Sequence, residues 1–325
     1  MVLKGMVFQM TANKNGMSAG SAKSSFRQNI ARNKLAYLML LPAIILVLVL
    51  CYLPFFGIIL AFKDFDIIKG IMDSPWVGFE NFKAIFVQEE MILAIWNTLV
   101  YGVTILFLGF PFPIILAILF NELKNMRLKK IYQTISYMPY FLSWISIVGL
   151  IYTFFSLEGP FNSMMASIHG ADYEAENILF NSKYFLPVIF FSHIWKSMGW
   201  SSVIFLAAIA GIDPTLYEAA TVDGCGKFQQ IIHITLPGIK ATAIIVLIMN
   251  LGTLFNMNFE QVYALQNVYT QQSTETINTL IYRQGIQNGK YSMATAFGLA
   301  QGLVTIVILL TSNFFSKKFF NVGLW

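Results

Sequence analysis

The sequence predicts an all-α polytopic membrane protein with six transmembrane helices, both termini on the cytoplasmic side (N-in/C-in). Three observations carry this. Of 325 residues, 57% are hydrophobic and 11% charged, whereas soluble domains run at about 45–50% and about 25%. Six apolar runs are each long enough to cross a bilayer. Basic and acidic residues then fall on opposite sides of those runs. The segments 1–34, 121–130, 211–240 and Lys317-Lys318 hold about 14 of the 21 basic residues, and the intervening segments about 12 of the 16 acids. The positive-inside bias places the basic set in the cytoplasm.

Residues 1–34 form a basic tail with six cations and no acid, rich in Ser, Asn, Gly and Met. Such a composition predicts a largely disordered cytoplasmic segment. No small-residue cleavage site follows, so a cleaved signal peptide is not expected. Residues 35–325 are read as one membrane domain, with spans at about 35–62, 91–120, 131–157, 184–212, 241–259 and 291–316. Only the fourth run carries His or Lys at depth, namely His193 and Lys196. Backbone groups in hydrocarbon must bond within their own segment, so these spans are helices. Pro42, Pro54, Pro111, Pro113, Pro139 and Pro187 predict kinks. Cys51 and Cys225 lie in different environments without metal-type spacing, so no disulfide is expected.

The long polar stretch between the fourth and fifth spans, 213–237, carries the sharpest signal. Asp213-Pro214 reads as an N-cap followed by Pro at the first helical position. Glu218, Ala219 and Ala220 fall on the second turn, and Gly224 and Gly226 permit a sharp break. A second short helix is expected over 227–235, with Leu236-Pro237 leading into the fifth span. The expected form is helix, glycine turn, helix at the cytoplasmic surface.

Glu-Ala-Ala, three residues, Gly224, nine residues, then Ile234-x-Leu236-Pro237 resembles the EAA loop of permease subunits of binding-protein-dependent ATP-binding-cassette importers. Asp223 before Gly224 fits the sugar-importing subset. Gly211-Ile212-Asp213-Pro214, Trp195-Lys196, Phe259-Glu260-Gln261-Val262, Tyr291–Ala296 and Gly323-Leu324-Trp325 are similar to the oligosaccharide branch, of the polysaccharide or aldouronate type. The resemblance covers roughly 33–325. It implies that 213–237 is a coupling helix docked on an ATPase through Glu218, Ala219, Ala220, Asp223, Gly224, Leu236 and Pro237. The implied partners are a second permease (a heterodimer), two ATPase subunits, an extracytoplasmic solute-binding protein and an oligosaccharide. The implied location is a bacterial cytoplasmic membrane. No cofactor is expected on this chain; ATP and Mg belong to the ATPase.

Polar and aromatic groups deep in spans are candidates for the solute path: Tyr152, Trp195, Lys196, Trp200, Asn250 and Gln301. Interhelical hydrogen bonding explains the same residues equally well. Lys196 would suit an acidic sugar such as a uronate; its charge would also suit a helix carbonyl. Trp76 and Phe79, in an aromatic outer loop, and Glu260 are candidates for docking the binding protein, though Trp and Phe also anchor at headgroups.

Other classes are disfavoured. No metal cluster, catalytic triad or G-x-x-x-x-G-K-[ST] loop occurs in the sequence, so neither an enzyme nor a nucleotide-binding chain is expected. A net charge of +5 reflects loop topology and does not imply a nucleic-acid partner. A self-sufficient secondary transporter or channel is the alternative. Scarce intramembrane acids and the absence of an inverted repeat argue against it.

Overall fold

A computed structural model describes residues 33–170, 173–256 and 259–324. The expected tail lies outside these almost entirely, as does Trp325. Helices dominate, and among the described residues the β structure is one isolated bridge, Lys63 with Trp76. The chain divides into two compact units, to Ile58 and from Ile59.

Among the described residues, four helices are long and apolar enough to cross a membrane: α1 (Lys34–Phe62), α3 (Glu89–Glu122), α9 (Lys227–Gly252) and α12 (Tyr291–Phe320). A short α2 (Glu80–Val87) precedes α3. Two bent helix pairs pass the same test of length and composition when each is taken together. α4 (Met126–Phe141) and α5 (Trp144–Phe154) meet at 99°, and α7 (Ser182–Ala210) and α8 (Pro214–Val222) at 70°. Three shorter helices, α6 (Pro160–His169), α10 (Phe259–Leu265) and α11 (Ile277–Tyr282), sit in the connections.

Proline explains where spans bend and where they continue. A proline inside a helix has no N–H and its ring collides with the carbonyl four residues back. For Pro54, Pro111 and Pro237 that carbonyl belongs to Leu50, Phe107 and His233. Each lies in a π-turn: Leu48–Tyr52, Thr104–Leu108 and Ile231–Thr235. The wider turn moves the carbonyl aside and the helix runs on. Pro187 falls in the first turn of its helix, where no donor is needed. Pro42 stays within α1 without such a turn. Pro139 has none either, and there the helix tightens to a 3₁₀ turn, Met138–Phe141, and stops.

Three expectations are corrected accordingly. The third span, expected over 131–157 with a kink at Pro139, is interrupted outright at Leu142-Ser143, where Ser143 starts α5 by accepting from Ser146 N–H. The fifth, expected to reach 259, ends at Gly252, and Phe259 opens the separate α10. The separate second helix of the polar loop is absent: 227–235 is continuous with the fifth span as α9, because the π-turn accommodates Pro237. At about 1.5 Å per residue, its 26 residues exceed an apolar core of about 30 Å, so α9 projects beyond it.

Packing is divided among small clusters. Tyr101, Val148, Ile189 and Leu265 join α3, α5, α7 and α10. Phe205, Ile209 and Ile239 join α7 to α9 near the loop end, with Ala117 of α3. Met91, Leu280 and Phe297 join α3, α11 and α12. In lipid, burying apolar surface between helices supplies little drive, so close packing and interhelical hydrogen bonds hold such a fold.

Candidate functional site

The polar loop is built by local bonds. Asp213 caps α8, its Oδ1 accepting from Thr215 N–H at 2.9 Å. That backbone donor, and the Thr215 hydroxyl after it, hold the Asp213 carboxyl below its usual range. α8 ends at Asp223, and Gly224 takes φ +79°. Its N–H donates to Thr221 O at 3.1 Å and that of Cys225 to Ala220 O at 2.8 Å. A Cβ at 224 would meet nothing within 4 Å. The conformation therefore favours glycine, and crowding plays no part.

One face of α8 is tied to α9. The Tyr217 hydroxyl lies 2.9 Å from that of Thr235, and Gln230 Nε2 donates to Thr221 Oγ1 at 3.0 Å. Lys227 pairs with Glu122 at the end of α3, at 3.1 Å. The other face is open. No residue of α8 is buried; Glu218 and Ala219 are exposed and Ala220 half-buried. Leu236 and Pro237 are exposed at the far end of the motif. Leu216, Val222 and Phe228 add exposed apolar side chains, Val222 at 88%. Sequence reading missed these three, and the buried ties Gln230 and Thr235. The four-residue spacing of Tyr217 and Thr221, one helix face, was the available signal.

The six path candidates are distributed over several places. Lys196 Nζ donates to Tyr140 O at 2.9 Å and to Leu142 O. Trp200 stacks on Tyr140, centroids 5.0 Å apart. These two therefore share a neighbour. Trp195 instead lines an apolar cavity of about 840 Å³ with Leu150, Phe154 and Phe191. Asn250 lines a smaller one, about 150 Å³, with His193, Ser197 and Ser201. Tyr152 donates its hydroxyl to Leu265 O at 3.0 Å. Gln301 is buried and donates to Phe255 O at 2.9 Å and Asn278 Oδ1 at 3.1 Å. The last two are used as ties between elements.

The three docking candidates also separate. Trp76 stacks on Phe62 at 5.8 Å, and Phe79 meets the same ring edge-on at 5.5 Å. Both remain largely exposed. Glu260 is on α10, whose Gln261 donates to Ile189 O and Ser192 Oγ of α7.

Spanning helices, broken spans and an exposed, rigidly tied polar loop together define a membrane-embedded transport component. The chain belongs to the family of binding-protein-dependent transport system inner membrane components, which matches residues 85–320. It is a permease component of an ATP-binding-cassette importer in the cytoplasmic membrane and not an enzyme. Protein LplB of Bacillus subtilis (strain 168) is 38% identical over 302 residues, 93% of this chain and 94% of its own. The polygalacturonan/rhamnogalacturonan transport system permease protein YteP of the same organism is 37% identical, over 91% and 92%. Among solved structures, a chain of a bacterial alginate ABC transporter, in complex with an alginate pentasaccharide-bound periplasmic protein, superposes with a TM-score of 0.83. It is 37% identical, over 91% of this chain and 99% of that one.

Proposed function

We propose that this chain, with a second permease, forms the path for an acidic oligosaccharide delivered by an extracytoplasmic binding protein. One observation carries the substrate class. Relatives matching over nine-tenths of the chain are named for polygalacturonan and for alginate, both polymers of uronic acids. A relative named for arabinooligosaccharides, which are neutral, stands lower, at 28% identity.

Two ATPase subunits, which hold ATP and Mg, supply the energy. α8 is the docking helix for one of them: its open face presents Glu218 beside small Ala219 and exposed apolar side chains, and Asp223-Gly224 sets the turn. Leu236 and Pro237 continue that surface. On this reading the loop, the tail 1–34 and the C-terminus are cytoplasmic, and 35–325 is the permease domain. Trp76 and Phe79 face the binding protein. Lys196 donates to two carbonyls in this state, which leaves one of its three N–H bonds.

The test is ATPase stimulation of the assembled complex by binding protein loaded with neutral or uronic oligosaccharides of matched length. Preferential stimulation by the uronic set is expected. Equal stimulation by the neutral set would overturn the acidic class, and failure of any ATPase to co-purify would overturn the assembly.

A further inference from the structure

The interruption of the third span is held by a side chain from another helix. α4 stops at Phe141, Leu142 and Ser143 are extended, and α5 begins at Trp144. Such a break strands carbonyls that a continuous helix would have satisfied, and each needs another donor. Two of them, on Tyr140 and Leu142, receive the same ammonium, Lys196 Nζ. A cationic donor makes stronger bonds to them than a neutral amide would, and the long stem gives the reach. The ammonium also sits 5.6 Å from the Tyr140 ring on one side of the break and 5.3 Å from Trp144 on the other. One helical turn on, Trp200 covers Tyr140 and meets Phe141 edge-on at 5.8 Å. α7 therefore grips the break at two levels, and the same helix leads at its far end into α8.

We infer that Lys196 is a positioning residue for transport: it ties the break in the third span to α7, so that movement of α8 reaches the break. This rests on α8 being the ATPase-docking helix.

The test uses the complete complex in proteoliposomes. Lys196→Met keeps the stem and removes the donors; Lys196→Arg keeps donors and charge. Lys196→Met is expected to lower solute moved per ATP hydrolysed by about tenfold, the scale of coupling changes between distant sites. KM for loaded binding protein and the preference between uronic and neutral sugars should stay unchanged, and Lys196→Arg should restore most of the loss. Wild-type coupling in Lys196→Met, or an altered sugar preference with coupling intact, overturns the inference. Should Lys196→Met not assemble, Trp200→Leu decides, since it loosens the grip on Tyr140 and Phe141: lowered coupling at unchanged KM supports the tie, and wild-type coupling removes it. Glu218→Lys is measured in parallel. If it abolishes ATP-driven uptake while Lys196→Met is normal, only the Lys196 inference falls; if Glu218→Lys is itself normal, the docking reading falls.

Discussion

Gly199 lies directly on the Ser136 carbonyl: a Cβ at 199 would stand 1.9 Å from that oxygen and 2.5 Å from its carbon. Helices in lipid approach this closely only where a small residue allows it, and the obstacle is backbone, which no rotamer change can remove. The contact brings α7 against α4 one turn from Lys196. Gly199→Ala must push the two helices apart, and overpacking of this kind costs about 1–3 kcal/mol. A lowered melting temperature of the detergent-solubilised complex is expected, with Gly199→Leu failing to assemble. Wild-type melting of Gly199→Ala would mean α4 can retreat freely.

The turn at Gly224 predicts a different kind of defect. A β-branched residue there meets no clash but must adopt left-handed φ, at about 1–2 kcal/mol. Gly224→Val is therefore expected to insert and to present α8 wrongly, and Gly224→Asn to be milder. Glu218→Lys alters only an exposed surface and should insert normally. Both Gly224→Val and Glu218→Lys should lose ATP-driven uptake and co-purification of the ATPase. Normal uptake by the two variants would remove the docking role.

Positions of spans and the loop motif could be read because apolar runs and short spacings are local properties. Breaks are harder. Pro139 and Pro237 look alike in sequence, yet one ends a helix and the other does not. The difference is a π-turn at Ile231–Thr235 that no local rule announces. Ser143, an ordinary N-cap type, was a visible sign of a helix start inside the third run, but unbroken apolarity masked it. What satisfies that break, Lys196, is 54 residues from Leu142, beyond any local pattern. Tyr152 and Gln301 had two readings because a polar residue at depth looks the same whether it meets a solute or a carbonyl. The structure shows carbonyl partners for both.

Rigidity of the loop can be tested apart from its docking. Tyr217 and Thr235 share a hydrogen bond between α8 and the π-turn of α9. Tyr217→Phe and Thr235→Val should each destabilise by about 1 kcal/mol, the usual net worth of such a bond. Thr235 is buried, and after Tyr217→Phe its hydroxyl keeps only the long bond to Gln230 O at 3.5 Å, so either single change costs much of what losing both does. The double variant should therefore be less than additive, read from melting of the four forms. Strict additivity would show that the two hydroxyls are not coupled.

The last prediction concerns pH, through the pair of Glu275 and Arg283 in the connection before α12. Burial pushes the Glu275 carboxyl above its ordinary value; the Thr279 hydroxyl and Arg283 pull the other way without cancelling the effect. In the window between the ordinary and the raised value, the folded chain holds a proton that the unfolded chain has released. Folding is then linked to proton uptake, so stability falls as pH rises through that window and is greatest on its acid side. Removing the titration with Glu275→Gln should flatten this dependence while keeping a polar partner for Arg283. Melting of wild type and variant between about pH 4 and about pH 8 brackets the ordinary and raised values. A wild-type slope of opposite sign, rising with pH and lost in Glu275→Gln, would mean that Arg283 outweighs burial and that the pair is charged throughout.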